Sequence, residues 1–198
     1  KNDGEFRKYL LNAARENRTW DVLFRQMMTG RQSNAAEKPA LAFLKARAGS
    51  LDDLTNDTSV LFFGVNVSCA KCHDHPLVDD WKQDHFFGMA SFFTRTYLTK
   101  KNTLAEKFSG SIKFKTTGGE EKQARFMFLT GAEVPEPKVK KSAEQRKAED
   151  AEVKRQMKDP KAPAAKIPGF SPRAKLVEVA LRSADRRFFS RAIVNRIW

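Results

Sequence analysis

Cys69, Cys72 and His73 stand in the run C-A-K-C-H, and Asp74 and His75 follow directly. The chain holds two cysteines and three histidines in 198 residues, and all five lie between Cys69 and His85. C-x-x-C-H is the attachment pattern of c-type haem. Two thiols one helical turn apart can each add to a haem vinyl group, and the next residue puts an imidazole under the iron. The expected cofactor is therefore covalent haem c, attached through Cys69 and Cys72 with His73 as proximal ligand. The iron also needs a sixth ligand or an open position. Met89 and His85 are the candidates, although Met89 equally fits an apolar stripe with Phe86 and Phe93, where a thioether packs more often than it ligates. His75 is about 200° around a helix from His73, so the two cannot face one iron. Asp74 and His75 are expected as neighbours that orient His73 or bond a propionate. The alternative for them is a surface turn, with Pro76 ending the local helix.

Other uses of the same cysteines compete. Cys69, Cys72, His75 and His85 could wrap zinc, but the usual second C-x-x-C or H-x3-5-H half is missing and His73 would have no task. A disulfide oxidoreductase places its C-x-x-C in a βαβ unit, and the sequence suggests none. No Ser-His-Asp set, carboxylate pair or Gly-rich phosphate loop stands out, so whether the chain is an enzyme stays open.

The elements that must position the box read as helices. Asn2 and Asp3 are capping types ahead of Phe6, Tyr9, Leu10 and Ala13. Thr19 can cap a helix with Leu23, Phe24 and Met27, closed by Gly30. Pro39 suits the first turn of a helix bearing Leu41, Leu44 and Ala48. Ser50 can cap another, with Leu54, Thr58, Leu61, Phe62 and Val65 on one face, that leads to Ser68 and the box. Phe86, Met89, Ala90, Phe93 and Tyr97 recur at helical spacing. Residues 111–116 and 124–129 alternate apolar and polar around Gly118 and Gly119, which predicts a hairpin.

The expected fold is mainly α, a cytochrome c-like haem-bearing helical domain with a small β-hairpin region, α+β overall. Residues 1–133 form that domain. Residues 134–170, rich in Pro, Lys and Glu, read as a linker with a solvated helix over 143–157, capped by Ser142 and Gln145. Residues 171–198 read as two helices opening a following domain or packing back on the first part. Ser171 and Pro172 start one, and Ser183 or Asp185 the other, with Phe188, Phe189, Ala192, Ile193 and Ile197 inward.

A hydrophobic share of 40% with 16 Phe supplies a core, which excludes global disorder. No apolar run approaches the ~20 residues of a membrane span. The net charge of +13 raises nucleic-acid binding, but the basic residues are scattered and no recognition motif accompanies them. A solvated, Lys-rich surface accounts for the charge, and docking to an acidic redox partner is a second reading. The opening K-N-D-G-E-F lacks an initiating Met and the last helix runs to Trp198, so the chain reads as a piece of a longer protein.

Together, F-F-G-V-N-V-S-C-A-K-C-H-D-H-P and W-K-Q-D-H-F-F-G-M-A-S-F-F resemble the second type of planctomycete-specific cytochrome-like domain. The opening F-R-K-Y-L-L-N-A-A-R-E-N-R-T-W-D-V-L-F-R-Q-M-M-T-G and the later G-G-E-E-K-Q-A-R-F-M-F-L-T-G are similar to its first helices and closing segment. The final S-P-R-A-K-L-V-E-V-A-L-R-S-A-D-R-R-F-F-S-R-A-I-V-N-R-I-W resembles the start of its usual partner domain. The resemblance implies an exported, multidomain bacterial protein, periplasmic or secreted, with a haem-like site. It carries Cys69, Cys72 and His73 over as attachment and proximal ligand, with Asp74 and His75 as family-typical neighbours. It also implies extracytoplasmic redox chemistry or polymer breakdown, in which this part would be the redox subdomain of a catabolic enzyme. A structural module holding zinc or a disulfide at the same cysteines is the other outcome.

Overall fold

The computed structural model describes residues 3–72 and 81–197, with no side chain given for Asp3. Among these residues the chain forms eight α-helices and two antiparallel β-hairpins, an α+β arrangement. The helices are α1 (Asp3–Arg15), α2 (Trp20–Thr29), the short α3 (Ala42–Lys45), α4 (Leu51–Phe63), α5 (Gln83–Ser91), α6 (Ala143–Lys158), α7 (Pro172–Leu181) and α8 (Arg187–Ile197). One hairpin pairs β1 (Thr96–Leu98) with β2 (Leu104–Glu106), the other β3 (Lys113–Lys115) with β4 (Glu121–Gln123). Short 3-10 turns cover Lys38–Leu41 and Ser68–Lys71.

The helix ends follow local chemistry. Ser50 Oγ accepts from Asp53 N–H at 3.1 Å, which satisfies one free amide of the first turn of α4. The same helix closes on Gly64 at φ +68°, in the left-handed region where a Cβ is strained. Ser171 Oγ accepts from Ala174 N–H at 3.3 Å, and Pro172 fills the first position of α7. Ser142 and Gln145 form a reciprocal capping box at 3.2 and 2.9 Å.

One aromatic-rich core joins α2, α4, α5, α7 and α8. Phe24 lies at its centre, with ring centroids 4.7 Å from Phe62, 5.7 Å from Phe63 and 5.3 Å from Phe189. Phe128 stacks edge-on against Phe63 at 5.0 Å, so the segment after β4 also reaches the core. Leu176, Val179 and Ala180 of α7 and Phe189 of α8 are buried in this cluster. The last two helices therefore pack back on the first part, the second of the two arrangements the sequence allows.

Several expectations need correction. The helical spacing from Phe86 to Tyr97 overstates α5, which ends at Ser91; Tyr97 lies in β1, paired with Ala105. Val65 falls beyond the Gly64 stop of α4. The second strand of the predicted hairpin is residues 121–123, not 124–129, because Phe114 pairs with Lys122. Phe126 and Phe128 instead point their rings into the core. Ile197, expected inward, is 80% exposed. The helix at 143–158 was expected to be solvated on all sides, yet Val153 and Gln156 are buried. Val153 meets Tyr97 and Ala105 in a small second cluster.

Candidate functional site

The box begins where α4 has stopped. After Gly64, Asn66 Oδ1 accepts from the Ser68 N–H at 3.0 Å and the Ser68 hydroxyl at 2.6 Å, turning the chain sharply. Val67 and Ala70 are fully buried and anchor the 3-10 turn to the core. Cys69 and Cys72, on the other side of that turn, are exposed free thiols. The sequence expects an α-helical turn under the two thiols. The tighter 3-10 form closes Cys72 N–H onto the Cys69 carbonyl at 3.4 Å.

Three contacts hold the turn. Gln83, 7% exposed at the start of α5, donates its Nε2 to the carbonyls of Lys71 at 3.2 Å and Cys72 at 3.4 Å. Its Oε1 accepts from the Thr117 N–H at 3.0 Å, which brings the tip of the β3–β4 hairpin to the same place. Lys71 Nζ donates to Asp52 Oδ2 in the first turn of α4 at 2.5 Å, and this hydrogen bond to the Asp52 carboxylate holds its ammonium above the usual lysine range. The hairpin is fixed in turn by Phe114, whose ring stacks on Phe87 at 4.2 Å and 17°.

His85 sits half-buried in the first turn of α5. Its Nδ1 accepts from the Lys82 N–H at 3.2 Å, and its ring meets the edge of Trp81 at 5.4 Å. Trp81 is 5.6 Å from Phe188 of α8, so α8 borders this side of the site. Met89 is fully buried in the main core. His73, Asp74 and His75 lie outside the described residues, as does any arrangement of Cys69, Cys72, His75 and His85 as a zinc set. Among the described residues, no three His, Cys, Asp or Glu side chains gather as a metal group.

The fold thus brings together Cys69, Cys72 and, through Gln83, the helix bearing His85. It does not bring Met89 to the surface. The donor chemistry at the turn fits covalent attachment of haem: both thiols are exposed and unbonded, on a turn whose backbone is tied from two directions. Sequence reasoning missed Gln83, which looks like an ordinary polar residue at a helix start. Its role depends on two carbonyls 11 and 12 residues earlier, and no local pattern signals that.

Residues 1–97 match the family model described as PSCyt2, protein of unknown function (DUF1549). The match runs from α1 to β1 and contains the whole box. No curated protein and no solved structure matches the chain. The matched region, residues 1–97, is thus similar to the PSCyt2 family.

Proposed function

From that similarity and the geometry of the box, we propose that the chain carries covalent haem c at Cys69 and Cys72 and serves as an electron-transfer domain of an exported multidomain bacterial protein. The observation that carries this reading is the pair of exposed thiols on one braced 3-10 turn, within C-x-x-C-H. A structural cysteine pair would be expected inside, where thiols pack as small apolar groups. When bound, the haem supplies a one-electron iron couple.

In this reading Cys69 and Cys72 would hold the haem through thioethers, and His73 would offer a ring nitrogen to its iron. Gln83 holds the Lys71 and Cys72 carbonyls and so the backbone that carries the second thiol. Asp74 and His75 orient His73 or bond a propionate. His85 is the better sixth ligand, since it is only half-buried and begins the helix that Gln83 ties to the turn. Met89 would have to leave a filled core position, and vacating it would open a cavity. Covalent attachment takes place outside the cytoplasm, so the protein would work in the periplasm or beyond. The net charge of +13 favours an acidic redox partner.

The test is expression of the full chain in a bacterial periplasm with the haem-attachment machinery present. A sharp reduced-state visible band that appears and disappears with reductant and oxidant supports the reading. A colourless protein with one equivalent of zinc overturns it in favour of a structural site.

A further inference from the structure

A cleft beside the β1–β2 hairpin is walled by three stretches far apart in sequence. They are Gln32 beyond α2, the β1–β2 loop with Thr99, Lys101 and Thr103, and the end of α6 with the Ala162–Ala165 segment after it. Its volume is about 220 Å3, room for about seven waters at the ~30 Å3 each takes in the liquid. That is small for a drug-sized ligand and ample for a single sugar ring.

The wall after α6 is pinned rather than loose. Lys101 Nζ donates to the Ala162 carbonyl at 2.8 Å, and Ala162 itself is buried. Lys100 N–H donates to the Gln156 carbonyl at 2.7 Å, and the Tyr97 hydroxyl donates to Gln156 Oε1. The segment expected as a connector therefore builds one side of a cavity.

The polar groups of the lining residues define what this space can take. Asp159 is already satisfied: Oδ1 accepts from Lys161 N–H at 2.7 Å, and Oδ2 meets Arg155 Nε at 3.4 Å. The Lys101 ammonium has one partner in Ala162 and two protons left. Thr99 and Thr103 hydroxyls bond each other at 2.5 Å and Thr99 Oγ1 also accepts from the Thr103 N–H at 3.2 Å, which leaves acceptor capacity on Thr103. Gln32 Oε1 is buried and has no donor. A buried acceptor without a donor is costly, so a ligand that brings an O–H or N–H to it gains that energy on binding. Leu104, Pro163 and Ala165 supply an apolar wall.

We propose that this cleft is a binding site for a small neutral polyhydroxylated molecule of monosaccharide size. Hydroxyls both give and accept, so one ligand type can donate to Gln32 Oε1 and accept from Lys101. Its C–H face would lie on Leu104, Pro163 and Ala165. A carboxylate ligand would satisfy Lys101 but bring no proton to Gln32. The proposal is independent of the haem reading and involves none of its residues.

The test uses the full chain and ligand-observed NMR with D-glucose and D-xylose as neutral probes and acetate as the anionic one. At least one sugar should bind saturably in the millimolar range. Gln32→Leu, which removes the acceptor at similar size, should weaken that binding about tenfold, the scale of one hydrogen bond to a buried group. Ala164→Trp, at an exposed position of the rim, should abolish it while the circular dichroism melt stays that of the wild type. Three results overturn the proposal: no saturable sugar binding, equal binding in both variants, or displacement of the sugar by acetate.

Discussion

The Gln83 side-chain amide donates to the Cys72 carbonyl at 3.4 Å and to the Lys71 carbonyl at 3.2 Å, so a residue of α5 sets the backbone of the thiol-bearing turn. Replacing Gln83 by Leu removes these bonds and the one accepted from Thr117, leaving polar backbone groups unpaired in a buried place. The expected cost is ~1–3 kcal/mol by urea unfolding. Alkylation of Cys72 by iodoacetamide should also become faster in the native protein. A variant with unchanged stability and unchanged thiol reactivity would show that the turn does not need this brace.

A second brace ties α7 to the rest. Glu106 of β2 is almost fully buried and is met by Arg173 Nε at 3.1 Å and the Ser171 hydroxyl at 2.5 Å, while Arg173 Nη1 donates to the Met28 carbonyl at 3.0 Å. Removing one charge strands the other, so Arg173→Met should destabilise by ~3–5 kcal/mol. The double variant Arg173→Met, Glu106→Leu should recover part of that loss. A denaturant-based double-mutant cycle checks both, and an additive outcome would contradict the coupling.

Gly88 packs its bare Cα against the chain after β4. A Cβ there would sit 2.8 Å from Met127 Cβ and 2.9 Å from the Met127 carbonyl oxygen, with backbone that cannot swing away. Gly88→Ala should therefore lower stability by ~1–3 kcal/mol, although alanine is the better helix former. A thermal melt at or above the wild-type midpoint would refute the close approach.

Tyr97 gives a pH signature. Burial raises its phenol above the ordinary value of 10.0, and Glu152 adds to the rise. The folded state thus holds the phenol proton more tightly than the unfolded state. The stability this contributes is fully present below pH 10.0 and is lost as pH rises through the higher folded value. Wild-type stability should fall more steeply above that pH than that of Tyr97→Phe, which has no proton to lose. Parallel curves from urea unfolding across alkaline pH would contradict the assignment.

The helix starts at Ser50, Ser142 and Ser171 were legible because capping is settled within four residues of chain, whereas the stop at Gly64 was not, since the apolar face continues in spacing to Val65. The box was legible for the same reason, its chemistry being written in five consecutive positions. Tyr97 was not: its helical spacing from Phe93 is accidental, and pairing with Ala105 decides its strand. The register of β3 and β4 was missed because Phe126 and Phe128 alternate like strand residues, yet bury their rings against helices instead. Val153 and Gln156 looked solvated because α6 is polar almost throughout. One buried contact with Tyr97 sufficed to dock it, and that contact crosses more than 50 residues.

Intact mass together with an alkaline pyridine spectrum decides whether haem is covalently attached at Cys69 and Cys72. The protein should come from its native source or from a periplasm supplied with the attachment machinery. The expected result is a mass raised by one haem and a c-type haemochrome band, both absent when Cys69→Ser and Cys72→Ser are combined. An unshifted mass with no haemochrome band in the wild-type protein would contradict it.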